Sequence, residues 1–260
     1  MSDINQAQII TDVQGSVLTL TMNRPSRKNA LTLEMYEQLT AGLREATEDT
    51  AIRAVVVTGI GDSFTSGNDL KDFMRSPPTS VDTPVFHFLK ALLDFPKPLV
   101  AAVNGAAIGI GTTMLLHCDL VYASQSAIFQ LPFIRLGLVP EAGVSYLLPR
   151  IVGHRRAAEL LMLGEKFNAT TAVEVGLVNE EVSAGSALER AQERARALAK
   201  LPPEAMRQTK QLLRDPLRSS LAEVMLHEGD IFMKRLASPE TAEAIQAFFM
   251  KRSPDFSRFS

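Results

Sequence analysis

The sequence predicts an α/β fold: strand–helix units stacked on a mainly parallel sheet, with a helical C-terminal third. Three observations lead there. Short apolar, β-branched runs recur at 54–58, 99–103 and 120–123; segments of helical period lie between them; and beyond about residue 153 the helical pattern stands alone. A run apolar at every position suits a strand covered on both faces, as parallel strands are. Ligands in such folds bind where strands end and helices begin.

Taken in order, residues 17–21 alternate as a half-buried strand, and 31–46 places Leu31, Met35, Leu39 and Leu43 on one helical face. The covered strand at 54–58 follows. The stretch 75–84, with three prolines and two serines, reads as an exposed connection or a mobile lid. A short helix is expected at 87–93, a strand at 99–103, a short helix at 111–117 and a strand at 120–123. Helices are then expected at 157–163, 187–201, 203–213, 217–236 and 239–251. The last begins with Ser238 placed to cap and Pro239 at the first helical position. The expected division is a core over 1–200 and a helical region over 201–260, whose amphipathic faces cover the sheet or meet another subunit.

The 260 residues are 46% hydrophobic and 22% charged, with a formal net charge of -2. Without a basic excess, broad nucleic-acid binding is not expected, because that affinity comes largely from neutralising phosphates. The single cysteine, Cys118, leaves no intramolecular disulfide and no cysteine metal cluster. The four histidines, His87, His117, His154 and His227, lack metal-ligand spacing. The most apolar stretch, 99–116, contains Asn104 and several glycines and changes period midway, so no membrane span is expected. Neither end carries a secretory, organellar or peroxisomal address, and the expected location is the cytoplasm.

Two glycine-bearing segments follow apolar runs: Phe64, Thr65, Ser66, Gly67, Asn68, Asp69 and Leu70, then Asn104, Gly105, Ala106, Ala107, Ile108, Gly109, Ile110 and Gly111. Small residues at strand ends let backbone N–H groups approach a ligand, and two such loops can aim two donors at one oxygen, as an oxyanion hole does. The alternative is two ordinary tight turns. Gly109, Ile110 and Gly111 lack the third glycine and downstream acid of a dinucleotide fingerprint, and Ser145 lacks the second glycine of a nucleophile elbow.

With Asn23, Arg24, Pro25, Asn29, Ala30 and Leu31 before these segments, Phe95 to Pro98 between them, and Cys118, Asp119, Phe249, Met250, Lys251 and Arg252 after, the chain resembles the enoyl-CoA hydratase/isomerase (crotonase) superfamily over about 17–256. The resemblance implies a crotonase-like spiral of ββα units with a C-terminal helical region used in trimerisation. It also implies a coenzyme A thioester as substrate rather than a separate cofactor, and a homotrimer or a dimer of trimers. By resemblance the oxyanion donors are the N–H groups of Asn68 and Ile110. By resemblance the backbone around Ala30 and through Ser66, Gly67, Asn68, Asp69 and Leu70 lines the path of the nucleotide and pantetheine, Gly109 and Phe133 also belong to the substrate site, and Lys251, from the same or a neighbouring subunit, meets phosphate. Arg27, Lys28 and Lys71 supply the local positive charge that coenzyme A phosphates need, the alternative being solvated surface cations.

A typical hydratase of this superfamily has two glutamates where this chain has Thr113 and Phe133, neither of which transfers a proton in that role. A carboxylate occurs instead at Glu141, within Gly137, Leu138, Val139, Pro140, Glu141, Ala142 and Gly143. This pattern resembles the peroxisomal-type Δ3,Δ2-enoyl-CoA isomerase branch and implies Glu141 as the single acid/base. Its apolar neighbours should raise its pKa. The plainer reading of Glu141 is a helix-terminal acid after Pro140. Asp69 is expected to cap a helix and Asp119 to be architectural. The function expected is isomerisation of a 3-enoyl-CoA in fatty acid breakdown. The alternatives are hydration of another acyl-CoA and a non-catalytic acyl-CoA-binding module.

Overall fold

The computed structural model describes residues 7–75, 78, 80 and 82–259. Strand β1 (Ile9–Gln14) pairs antiparallel with β2 (Val17–Met22), a hairpin of which the alternating pattern at 17–21 is the buried half. After a 3-10 turn at Pro25–Arg27 comes helix α1 (Leu33–Glu48). It starts later than its apolar period suggests, because Thr32 accepts the N–H of Met35 as N-cap and Leu31 instead forms a β-bridge with Asn68. Its buried face is also wider than expected, adding Tyr36, Thr40, Gly42 and Ala46.

Three strand pairs then repeat. The first is β3 (Ala54–Gly59) and β4 (Ser63–Thr65), followed by α2 (Leu70–Arg75) and α3 (Pro84–Asp94). The second is β5 (Leu99–Val103) and β6 (Ala106–Ile108), followed by α4 (Ile110–Thr113) and a 3-10 turn at Met114–His117. The third is β7 (Leu120–Ser124) and β8 (Ile128–Gln130), followed by a 3-10 turn at Phe133–Leu136, α5 (Val144–Val152) and α6 (His154–Leu163). Strand β9 (Lys166–Asn168), α7 (Ala169–Glu174), β10 (Glu180–Val182) and α8 (Ala187–Ala199) complete the body. Residues 76, 77, 79 and 81 of the expected connection lie outside the described residues.

The first strands of each pair join one sheet, ordered β1-β2-β3-β5-β7-β10, and the second strands join another, ordered β4-β6-β8-β9. Pairing from β2 through β3, β5 and β7 to β10 is parallel. This is the turn-by-turn layout expected of a ββα spiral. Val55, Val57, Ala101 and Val103 face the main core with α1 and α3, while Val56, Val100 and Ala102 face Ala187, Ala191 and Ala195 of α8. Both faces are thus covered, which is why these strands are apolar throughout. Lys97, buried between strand and helix, donates to the carbonyls of Ala46, Asp49 and Ile52 and so satisfies the end of α1.

Helix α9 (Pro203–Leu236) runs unbroken for 34 residues, where the sequence suggested two helices separated near Pro216. A proline removes one intrahelical donor; the turns around Pro216 are largely exposed and are tied down by polar bonds, Arg214 donating to the carbonyls of Leu92 and His117 and Arg218 pairing with Asp94. On the inward face Lys210 donates to the carbonyl of Lys97 and to Asp119. Asp119 also accepts the N–H of Leu99 and reaches Arg214, so its architectural role holds. Helix α10 (Pro239–Phe249) is capped by Ser238, whose side chain accepts the N–H of Thr241.

Asn29 ties these pieces together. It is fully buried in the left-handed region at φ 54. Its Oδ1 accepts the N–H of Arg24, and its Nδ2 donates to the carbonyls of Ile60 and Ser63. Asn29→Ala strands those buried groups and should cost roughly 3 kcal/mol. Urea unfolding with an unchanged m-value measures this; a midpoint equal to wild type would contradict the assignment.

Candidate active site

Strand β4 leads into the first glycine turn, at 66–69, and β6 into the second, at 109–111. The two strands pair in parallel, Ser63 with Ala106 and Thr65 with Ala107, so the loops leave the sheet side by side. They are in close contact: a Cβ on Gly67 would lie 2.9 Å from the carbonyl oxygen of Ile108, and one on Gly111 would lie 2.7 Å from Cγ2 of Thr65. Gly67 has φ 91, and Gly109 has φ 57 with ψ -120, conformations that only glycine adopts without strain. The residues after these two glycines are Asn68 and Ile110. Among the described residues neither backbone N–H donates a hydrogen bond, Asn68 because its bridge to Leu31 uses Gly67 O and Asp69 N–H, and Ile110 because it opens α4.

The segment around Asn29 backs this loop. Ser66 N–H donates to the carbonyl of Lys28 and its hydroxyl to that of Arg27. Ala30 is buried and its carbonyl accepts from Arg24, which also pairs with Asp69 at 2.7 Å. Burial pushes the Asp69 carboxyl up, but Arg24 and the N–H groups of Asp72 and Lys71 outweigh it and hold the group below the usual range. Asp69 thus caps α2, as expected. Leu70 opens that helix, and Arg27, Lys28 and Lys71 stand exposed beside it.

Glu141 is buried behind the second loop. Its Oε1 accepts the Thr113 hydroxyl at 2.7 Å, placing the carboxyl on the helical turn that Ile110 opens. Burial pushes its pKa up to about 8; the Thr113 bond opposes the rise and the charge of Glu228 adds to it. The helix-terminal alternative does not hold. The exposed N–H groups at the start of α5 are taken by Glu228, which accepts from Gly143 at 2.6 Å and Ser145 at 2.9 Å.

Three buried groups near this site were not singled out by sequence. The Tyr36 hydroxyl donates to Oδ1 of Asn68, and burial together with the charge of Glu141 raises its pKa. His117, pushed down to about 4 chiefly by burial and therefore neutral, donates to the carbonyl of Ala142 at 2.8 Å. Glu228 is the third. The available signal was a polar side chain on an otherwise apolar helical face: Tyr36 beside Met35 and Leu39, and Glu228 among Leu221, Met225 and Phe232.

Not every expected residue converges. Phe133 is buried at the start of its 3-10 turn, with no polar link to Glu141. Lys251 stands exposed beyond α10, and among the described residues it makes no hydrogen bond or ion pair to 24–31 or 66–71. Among the described residues no group of three or more His, Cys, Asp or Glu is gathered as for a metal ion, and no helix is long and apolar enough to cross a membrane. Burial pushes the Cys118 thiol up to about 12.

A model of the enoyl-CoA hydratase/isomerase family matches residues 12–258. The chain belongs to this family. Enoyl-CoA delta isomerase 2 of Rattus norvegicus is 39% identical over 251 residues, covering 94% of this chain and 64% of the relative, so the chain spans somewhat less than two thirds of that protein. The 2,3-dehydroadipyl-CoA hydratase of Escherichia coli (strain K12) is 37% identical over 251 residues, covering 96% of this chain and 98% of the relative. A crystal structure of an enoyl-CoA hydratase/isomerase from Pseudoalteromonas atlantica T6c superposes with TM-score 0.93 at 43% identity, covering 96% of this chain and all of that one. The mixed α/β body and helical C-terminal region are therefore those of the enoyl-CoA hydratase/isomerase enzymes.

The raised pKa of Glu141 makes stability depend on pH. The folded protein keeps this proton through the range above 4.5 where the unfolded chain has released it, so stability falls as pH rises toward 8. A shift of that size corresponds to up to about 5 kcal/mol. Glu141→Gln should therefore melt above wild type at pH 8.5, with the gap closing toward pH 5. Equal melting temperatures at both pH values would overturn the burial assignment.

Proposed function

We propose that this protein is a Δ3,Δ2-enoyl-CoA isomerase with Glu141 as its only acid/base. One observation carries the reading: the buried Glu141 carboxyl, with its pKa pushed up to about 8, bonds Thr113 on the turn that Ile110 opens, and the N–H groups of Ile110 and Asn68 are unused among the described residues. Moving a double bond from C3 to C2 of a thioester requires removing a C2 proton, holding negative charge on the thioester oxygen, and returning a proton to C4. In this reading the N–H groups of Asn68 and Ile110 donate to that oxygen, each worth roughly 3 kcal/mol of dienolate stabilisation. Glu141 takes the C2 proton and, now neutral, delivers it to C4. A base with pKa near neutrality serves both transfers, because it is neither too weak to accept the proton nor too strong to return it.

Hydration by two carboxylates finds no second partner here. Thr113 and Phe133 take the alternative positions, and both oxygens of Glu228 already accept bonds from Gly143 and Ser145. Arg27, Lys28 and Lys71 are the proposed partners of the coenzyme A phosphates, with Lys251 joining them from a neighbouring subunit of a homotrimer or dimer of trimers. A cytoplasmic location is part of the same proposal.

The test is turnover of a 3-enoyl-CoA, followed as formation of the conjugated 2-enoyl-CoA. Glu141→Gln should lose at least about 100-fold in kcat while keeping acyl-CoA affinity. Wild type that hydrates 2-enoyl-CoA faster than it isomerises, or that binds acyl-CoA without turnover, would overturn the reading.

In wild type, kcat/KM should rise with pH through about 8 as Glu141 ionises. Thr113→Val removes the hydrogen bond that favours the ionised form, so this limb should move to higher pH; a limb left in place would separate Thr113 from the base.

A further inference from the structure

The loop that carries Glu141 is held in an unfavourable conformation. Ala142 has φ 63 and Gly143 has φ 72, two successive left-handed residues, the first bearing a Cβ. Such geometry persists only where the surroundings over-determine it. Here they do. Glu228 Oε2 accepts the Gly143 N–H at 2.6 Å, and Oε1 accepts the Ser145 N–H at 2.9 Å and the Ser145 hydroxyl at 2.5 Å. His117 donates to the Ala142 carbonyl, just before Gly143. A helix N-terminus is ordinarily capped by a nearby Ser, Thr, Asp or Asn. This one is capped by a buried carboxyl from α9, whose burial is opposed by these bonds and by nearby His227.

We propose that Glu228 is a positioning residue for the isomerisation: from α9 it locks the loop at 141–145, so that the Glu141 carboxyl is held at the reacting carbons. The inference rests on the reading of Glu141 given above. Glu228 touches no substrate atom in this scheme and acts through the backbone of Gly143 and Ser145. The groups that face Glu141 are Thr113, Tyr36 and Glu228 itself. Removing Glu228 therefore has two separable effects: the loop loses its anchor, and Glu141 loses a like-charged neighbour.

Glu228→Ala and Glu228→Gln test both. Glu228→Ala should lower kcat roughly 100-fold with KM within about two-fold of wild type, because an ångström of misplacement carries a loss of that order. Glu228→Gln keeps an acceptor oxygen and should lose less. In both, the limb of kcat/KM should move to lower pH. Full kcat in either folded variant, or a limb that stays where wild type has it, overturns the proposal; if Glu228→Ala does not fold, Glu228→Gln decides. A wild type that fails to isomerise would sink the functional reading instead. The positioning role is then judged by carboxyl 13C NMR titration of Glu141: a lower midpoint in Glu228→Gln supports it, and an unchanged midpoint overturns it.

Discussion

The parallel pairing of Ser63–Thr65 with Ala106–Ile108 is the constraint on which the site depends. These strands are only three residues long, yet their alignment decides which residues of two distant loops become neighbours. With this register, Gly67 and Gly109 turn the chain beside one another, and Asn68 and Ile110 follow them with unused N–H groups. The same two strands also fix where the Glu141 carboxyl lies, because the turn opened by Ile110 carries Thr113, and Thr113 holds Glu141. Such short strands cannot set a register alone. Asn29, bonded to the carbonyls of Ile60 and Ser63, and Asn104, which donates to the carbonyls of Gly61 and Ser63, supply what the ladder lacks.

The C-terminal helix works in the same way at the opposite side of the site. It runs from the buried Lys210, which neutralises Asp119 at the start of one core strand, to Glu228, which satisfies the start of α5. Each is a charged side chain taken out of water at considerable cost, tolerable only because backbone groups that would otherwise lack partners receive it. The helix thereby joins the sheet to the loop of Glu141 by polar bonds as well as by apolar packing of Leu221, Met225 and Phe232. It is part of the site's frame and more than a cover for the sheet.

The strands, the two glycine loops and Glu141 were legible in the sequence because their signals are local: continuous apolar runs, glycines at strand ends, and one acid among Val139, Pro140 and Ala142. Asp69 and Ser238 were legible for the same reason, since the helix starts they cap lie within three positions; Asp119 was legible only as architectural, because its partners Leu99, Lys210 and Arg214 are distant. Tyr36, His117 and Glu228 were not, because each acts on a group far along the chain, 85 residues away for Glu228 and Gly143. Glu228 carries only the signal of an acid on the apolar face of Leu221, Met225 and Phe232, which does not say which group it meets. The unbroken course of α9 through Pro216 is a related case, in which the bonds of Arg214 and Arg218 to residues about a hundred positions away are invisible to a local rule.

The bond from Glu228 to Gly143 also has a consequence for how the protein becomes competent as it is made. The residues of the paired strands and of both glycine loops are synthesised well before Glu228. The loop of Glu141, with its left-handed Ala142, lacks its anchor until α9 has been synthesised and docked. This loop is thus held by a part of the chain made much later than itself. Truncation of α9 before Glu228 would leave the residues of both glycine loops present but the segment 141–145 without its anchor.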